Sequence, residues 1–112
     1  MKILRLYSGT DNQSHMEEIT LDSRPDLTSP QAAESISFRT WDAGHFIDWH
    51  HAPRKQFVLT LGGEMEIGLG DGSVHHFGPG DVLLAEDLTG QGHTLRVTGD
   101  TPRVSAAIPL AG

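Results

Sequence analysis

Short apolar segments separated by glycine-containing turns fill the chain from Ser35 onward. In SISFRTW (35–41) apolar and polar residues alternate, and Met65, Ile67 and Leu69 recur at every second position further along. A period of two is typical of a strand that buries one face. The region contains no segment long enough for a crossover helix between parallel strands. The pattern therefore predicts an all-β fold, an antiparallel sandwich or barrel.

The individual strands and turns follow from the same pattern. QFVLTL (56–61) and EMEIGL (64–69) flank Gly62-Gly63, which predicts a two-residue hairpin turn between them. GDGS (70–73) and GPGD (78–81) predict two more tight turns, because proline fixes one φ angle and glycine permits unusual ones. The remaining predicted strands are VHHF (74–77), VLLA (82–85), HTLRVTG (93–99) and RVSAAIPL (103–110).

The first 35 residues have a different character. Residues 8–35 are rich in Ser, Thr, Asp, Asn and Pro, with sparse apolar positions. We predict an N-terminal arm over residues 1–35 that contributes at most an edge strand near 17–21, followed by a barrel domain over residues 36–112. Within the arm, Ser29 followed by Pro30 favours a single helical turn with Ser29 as its N-cap.

Charge and hydropathy exclude several classes of function. Fifteen acidic and eight basic residues give a formal charge of -7, so a phosphate backbone is repelled and nucleic acid is not an expected partner. No apolar run approaches the ~20 residues of a membrane-spanning helix, and the N-terminus lacks the long apolar stretch of a secretory signal. We therefore expect a cytoplasmic protein with no membrane partner, and the absence of cysteine is compatible with that location.

Two spaced motifs resemble those of the cupins, small β-barrels of the jelly-roll type. The first cupin motif contains a glycine, a His-x-His pair, a glutamate and a second glycine. Gly44, His50 and Gly63 match its spacing, whereas Ala52 stands at the second histidine and Gln56 at the glutamate. The second motif is matched by Pro79, Gly80, Asp81 and His93 in GPGDVLLAEDLTGQGH (78–93). The resemblance implies an antiparallel jelly-roll barrel over about residues 36–108. In detail, the sequence is similar to short bacterial single-domain cupins of uncharacterised function.

The resemblance also implies a site. Metal-binding cupins supply three imidazoles and a carboxylate, which suit Fe, Mn, Ni, Cu or Zn. The corresponding residues here are His50, Gln56 and His93, which amount to two imidazoles and a neutral amide. Losing one nitrogen and the anionic ligand weakens the attraction for a dication. We therefore expect a divalent transition metal to be held weakly, if at all, and treat Asp48, Glu86 and Asp87 as reserve ligands.

Other residues near these motifs are candidates for contacting a small-molecule ligand. Trp49 precedes the histidine pair and is able to line the mouth of a pocket, although packing against the barrel is the simpler interpretation. Arg54 is able to bind a carboxylate or phosphate through two hydrogen bonds, although a surface charge is the simpler interpretation. Glu86, with Asp87, lies in the loop before His93, where both residues also suit a turn.

Three functions remain open at this point, and they belong to different classes. By analogy with the cupins, a metal centre would perform oxygen chemistry. Without a metal, His50 or His93 would act as the general base of an isomerase or epimerase, because imidazole titrates near neutral pH. The third alternative is a non-catalytic ligand-sensing module. Because an open edge strand tends to find a partner, we expect a homodimer in each case.

Overall fold

The structure is a computed structural model that describes residues 1–111. Within these residues it contains ten strands and one short 3-10 helix, so the predicted all-β class is confirmed. The strands are β1 (Ile3–Ser8), β2 (Ser14–Ile19), β3 (Ser37–Trp41), β4 (Phe46–His50), β5 (Gln56–Gly62), β6 (Glu64–Gly68), β7 (Val74–Phe77), β8 (Val82–Glu86), β9 (His93–Thr98) and β10 (Arg103–Pro109).

The strands form two sheets, as in a jelly roll. The larger has the order β2-β1-β8-β5-β10-β3, and the smaller has the order β4-β9-β6-β7. Neighbouring strands are antiparallel, except that β1 pairs with β8 in parallel. No strand pairing in the described part of the chain joins one sheet to the other. The two sheets therefore meet through their side chains.

The hairpin predicted at Gly62-Gly63 is wrong. β5 lies between β8 and β10 in the larger sheet, whereas β6 lies between β9 and β7 in the smaller one. The two glycines instead carry the chain from one sheet to the other. Gly63 has a φ of +71°, and a Cβ atom there would lie 2.5 Å from the backbone oxygen of Pro102. Glycine is therefore required for the close approach of two backbones at this crossing.

The turns at GDGS and GPGD are confirmed. Residues 70–73 connect the antiparallel strands β6 and β7, with Gly72 at a φ of +86°. Residues 78–81 connect β7 to β8, with Gly80 at a φ of +89°. Both glycines occupy the left-handed region that other residues rarely adopt.

The N-terminal arm contributes two strands rather than the one edge strand expected near residues 17–21. β2 is the edge strand, and β1 lies inside the sheet between β2 and β8. Leu4 and Leu6 of β1 are buried in the core between the sheets, while Ile3 packs on the outer face of the larger sheet. Burial on both faces explains why the alternation in this segment is weak.

The helical turn predicted after Ser29 is also wrong. The 3-10 helix runs instead over Pro25–Thr28, and Ser29 is its extended C-cap. Proline at the first position suits a helix start, and Arg24 forms an ion pair with Asp26 across this turn. Leu27 packs from the helix onto the outer cluster of Ile3, Ile19 and Leu84. The helix therefore covers the part of the outer face of the larger sheet that lies near β1 and β2.

The main core lies between the two sheets. The face predicted for β6 is confirmed, because Met65, Ile67 and Leu69 are all buried in this core. They pack with Phe77 and Val97 from the neighbouring strands.

No helix among residues 1–111 has the length and apolar character needed to cross a bilayer.

Candidate ligand-binding site

A cavity of about 470 Å³ lies between the two sheets. Strands β3, β5, β8 and β10 of the larger sheet form one wall, and β4, β6 and β9 of the smaller sheet form the other. Much of the lining is apolar and comes from Trp41, Ile47, Val58, Met65, Leu83 and Leu95. Its volume falls within the range of pockets that enclose a small organic molecule.

His50 and His93 lie side by side on the wall formed by the smaller sheet. They are cross-strand partners at the ends of β4 and β9, with ring centroids 4.4 Å apart. Gly92 makes this approach possible, because a Cβ atom at that position would overlap the backbone oxygen of His50. With a φ of +80°, Gly92 also adopts a conformation that favours glycine.

Asp87 holds His93 from behind. This carboxylate is completely buried, and its Oδ2 lies 2.6 Å from Nδ1 of His93. The hydroxyl of Ser14 donates to the same oxygen at 2.7 Å, and the backbone N–H of Ala52 donates to Oδ1 at 3.3 Å. Three donors, two of them from distant parts of the chain, therefore satisfy the buried carboxylate, as a buried anion requires.

These contacts determine which nitrogen of each imidazole is available. A carboxylate only accepts hydrogen bonds, so in the neutral form of His93 the proton lies on Nδ1 and Nε2 keeps its lone pair. Nδ1 of His50 lies 2.8 Å from the backbone oxygen of Asp48, which imposes the same tautomer. His93 lines the cavity but Asp87 does not, so the Nε2 side of the His93 ring is the side available to a ligand.

Arg103 is the most unusual residue of the opposite wall. It begins β10, lines the cavity and is only 2% exposed. One of its nitrogens, Nη2, donates to the hydroxyl of Thr60 at 3.1 Å, while Nε has no hydrogen-bond partner among the described residues. Burial lowers the pKa of Arg103 to about 10, so the guanidinium remains protonated at neutral pH.

Comparison with known proteins gives matches in structure only. No family model matches the chain, and no curated protein matches it significantly in sequence. Among solved structures, a cupin domain from Bordetella pertussis aligns with a TM-score of 0.54 at 14% identity, covering 74% of this chain and 93% of that one. The chain has the cupin fold.

Two further solved structures that align with this chain have names that state an activity. A predicted oxalate decarboxylase from Thermotoga maritima aligns with a TM-score of 0.53 at 18% identity, covering 98% of this chain and 94% of that one. A polyketide cyclase from Streptomyces resistomycificus aligns with a TM-score of 0.54 at 22% identity, covering 92% of this chain and 68% of that one. At these identities the cupin fold is shared, whereas an activity is not implied.

The metal site of many cupins does not fit the residues found here. Within residues 1–111, no group of three or more His, Cys, Asp or Glu side chains is placed to hold a metal ion. His50, His93 and Gln56 line the cavity, but they supply two neutral nitrogens and an amide. The buried guanidinium of Arg103 lines the same cavity and repels a dication. This combination disfavours a firmly bound metal.

The other two positions of interest for a cupin metal site lie elsewhere. Ala52, at the position of the second motif histidine, is buried in the apolar core and is not part of the cavity lining. Asp48, one of the reserve ligands, uses its carboxylate to accept the backbone N–H of Trp49 at 2.9 Å and is exposed. Neither residue joins the histidine pair.

Of the three predicted ligand-binding residues, only one lines the cavity. Arg54 lines the cavity and forms an ion pair with Glu34. Trp49 does not line the cavity, and since it is 43% exposed, the simpler interpretation that it packs in the barrel core is wrong. Glu86 lies outside the cavity and forms ion pairs with Arg5 at 2.8 Å and Lys55 at 3.3 Å.

Sequence reasoning missed the structural roles of Asp87, Ser14 and Arg103. Asp87 was interpreted as a reserve ligand or a turn residue, and Ser14 lies in the N-terminal arm. For Arg103 a signal was present, because it shares its strand face with Ser105 and Ala107 in a segment of apolar character. An arginine on the inward face of such a strand indicates a polar feature in the interior.

Proposed function

We propose that this protein binds a small organic molecule in the cavity between its two sheets. The observation that supports the proposal is an apolar cavity into which a few polar groups project, His50, His93 and Arg103 among them. Binding pockets for small molecules typically combine apolar walls with a few such groups. Two proteins with the same fold, a predicted oxalate decarboxylase and a polyketide cyclase, are compatible with small-molecule chemistry in such a cavity.

The test is a thermal-shift and NMR screen of a chemically mixed library of small molecules, with a variant that fills the cavity. Ala107 lines the cavity from β10, and Ala107→Leu places three more carbon atoms there. We expect hits from the screen to lose about tenfold or more in affinity with this variant, because the cavity is overpacked. Ala43→Leu adds the same atoms at an exposed turn and is the matched control. Hits that bind Ala107→Leu unchanged place their site elsewhere and contradict the proposal.

A second candidate function is proton transfer to or from the bound molecule, as in an isomerase or epimerase. The observation that favours it is the buried Asp87 carboxylate 2.6 Å from Nδ1 of His93. The carboxylate orients the ring, stabilises the imidazolium that forms on protonation, and leaves Nε2 as the base. His93 would take a proton from a carbon atom next to a carbonyl group and return it to a neighbouring position or to the opposite face.

Deuterium exchange distinguishes this enzyme from a ligand sensor. Molecules that bind the cavity are incubated with the protein in D2O, and loss of the signal of the acidic C–H is followed by NMR. If His93 is the base, His93→Gln lowers the exchange rate about 100-fold or more while binding persists. His75→Gln is the control, since His75 lies on β7 and does not line the cavity. Binding without any exchange in the wild-type protein favours the non-catalytic sensor.

A metal-dependent form of the proposal uses His50, Gln56 and His93 as ligands of a weakly held Fe, Mn, Ni, Cu or Zn ion. Only the proximity of the two imidazoles supports it. Metal analysis of protein purified without a histidine tag is its direct test, and a stoichiometric metal would favour it over the metal-free form.

A homodimer and a cytoplasmic location are further parts of the proposal.

A further inference from the structure

The charge of the cavity is opposite to that of the whole molecule. The chain carries a formal charge of -7, yet the cavity is lined by Arg39, Arg54 and Arg103 together with His50 and His93. Among the described residues, no Asp or Glu side chain lines it. Glu34 is paired with Arg54 at one end, which leaves the positive charge of the other two arginines without an acidic partner inside the cavity. A concave, partly apolar site with these charges attracts an anion.

Arg103 is the residue that makes this attraction specific. In the described part of the chain, no carboxylate lies within ion-pair distance of its guanidinium, although the residue is only 2% exposed. Its Nε–H is buried without an acceptor. A buried cation without a counter-ion and a buried N–H without an acceptor both cost free energy of folding. A bound anion in the cavity removes both costs.

We infer that Arg103 binds the carboxylate group of the ligand, and that the ligand is a small monocarboxylate with an apolar body. This inference rests on the proposed function, because it names the class of molecule that occupies the same cavity. A single guanidinium presents adjacent N–H groups in a planar fork that matches the two oxygens of a carboxylate. The apolar side chains of Trp41, Ile47 and Leu95 suit an aromatic or branched aliphatic body.

The experiment measures the binding of phenylacetate, benzoate and 4-methylpentanoate to the full-length protein by calorimetry and thermal shift at pH 7. Phenylacetamide has the same shape as phenylacetate but no charge, and phenyl phosphate tests a different anion. We expect the carboxylates to bind and to raise the melting temperature, with phenylacetamide weaker by about tenfold or more. Tighter binding of phenyl phosphate than of phenylacetate overturns the assignment to carboxylates.

Variants of Arg103 supply the second part of the test. Arg103→Met removes the charge and the fork, so carboxylate binding is lost, while the melting temperature stays the same or rises because a buried cation without a partner is gone. Arg103→Lys keeps the charge but not the fork, and we expect about a tenfold loss of affinity. The matched control is Arg96→Met, at an exposed position on β9 outside the cavity. Wild-type affinity for phenylacetate in Arg103→Lys and Arg103→Met overturns the inference.

Failure of the inference is distinguishable from failure of the proposed function. If neutral molecules bind the cavity and lose affinity with Ala107→Leu, but carboxylates do not bind, the cavity is a ligand site and the role of Arg103 is wrong. If neither neutral molecules nor carboxylates bind, the proposed function fails and the inference fails with it.

Discussion

His93, one of the two histidines that line the cavity, owes its orientation to one buried side chain. Asp87 accepts hydrogen bonds from His93 and Ser14 through Oδ2 and from Ala52 through Oδ1. Because all three contacts run from donor to carboxylate, the tautomer of the imidazole is imposed from outside the cavity. At the scale of single residues, the chemistry available to a ligand is therefore determined by a residue that the ligand does not touch.

Asp87→Asn tests this role. When the new amide NH2 group takes the position of Oδ2, it donates to Nδ1 of His93 and to Ser14, and the amide oxygen still accepts from Ala52. The proton of His93 then moves to Nε2. We expect this change of tautomer in the ¹⁵N spectrum of the ring, together with a loss of about 1–2 kcal/mol in the free energy of unfolding. Asp22→Asn, at an exposed turn, is the control. An unchanged tautomer in Asp87→Asn would show that Asp87 does not impose it.

Gln56→Glu tests whether the cavity is one carboxylate short of a metal site. Gln56 lines the cavity opposite the two histidines, so a carboxylate there faces two nitrogen lone pairs. We expect the affinity for Ni(II) or Zn(II) to rise by about tenfold or more, because a two-histidine, one-carboxylate set suits these ions. The gain shrinks in acid, since protonated imidazole does not bind metal.

Calorimetry with each metal measures this change in affinity, and Gln31→Glu in an exposed segment is the control. Equal metal affinity for Gln56→Glu and the wild-type protein would mean that positions 50, 56 and 93 do not converge on one point.

At the scale of elements, the turn between β7 and β8 is tied to the start of β1. Asp81 accepts the backbone N–H of Gly78 at 2.8 Å within the turn and that of Lys2 at 3.0 Å from the N-terminus. Partial burial raises the pKa of Asp81, but the two N–H donors outweigh that effect and hold the pKa below its usual value. The turn therefore also fixes the register of the parallel pair β1–β8.

Asp81→Asn is expected to lower the free energy of unfolding at pH 7 by about 1–2 kcal/mol, because the amide has one acceptor oxygen for two backbone N–H donors that bond to different carboxylate oxygens in the wild-type protein. The contribution of Asp81 has a defined direction with pH. Since its folded pKa lies below the unfolded value of about 3.9, its stabilisation is present above that pH and is lost as the pH falls through the folded pKa.

The stability difference between Asp81→Asn and the wild-type protein should accordingly shrink in acid. Urea titrations between pH 7 and pH 2 measure it, with Asp100→Asn at an exposed loop as the control. A difference that stays constant across this range would contradict the role given to the Asp81 carboxylate.

At the scale of the whole molecule, one edge of the larger sheet is a candidate surface for association with another chain. β3 is one of its two edge strands, and Phe38 on the outer face of β3 is 68% exposed. Ile36, Leu61 and Val104 are exposed large apolar residues in the same region of the sheet. An unpaired strand edge beside exposed apolar side chains is typical of a surface that associates with another chain.

We expect a homodimer that associates through this edge. Light scattering at micromolar concentration should give twice the mass of 12.2 kDa for the wild-type chain and the monomer mass for Phe38→Glu. A charge at the centre of an apolar interface prevents association because it is left desolvated and unpaired. Val74→Glu, at an exposed position on the smaller sheet, should remain a dimer. A monomeric wild-type protein would refute the expectation.

The sequence by itself determined the features that depend on local pattern. The alternation of Met65, Ile67 and Leu69 predicted a strand with one buried face, because residues two apart lie on the same side of the backbone. Gly72 and Gly80 predicted tight turns, because the required φ angles are strained for other residues. The resemblance to the cupins, carried by two spaced motifs, implied a site with His50 and His93, and both residues line one cavity in the structure.

Only the tertiary structure decided how these pieces meet. The Gly62-Gly63 pair suits either a hairpin turn or a crossing of the chain from one sheet to the other. Which of the two forms depends on the strands that pair with β5 and β6. Asp87 and Ser14 are 73 residues apart in the chain, so no local pattern predicts their hydrogen bond. Likewise, Arg103 is buried without a counter-ion only because the two sheets pack over it. Local alternation fixes which face a side chain takes, whereas its burial and its partners depend on contacts between segments distant in sequence.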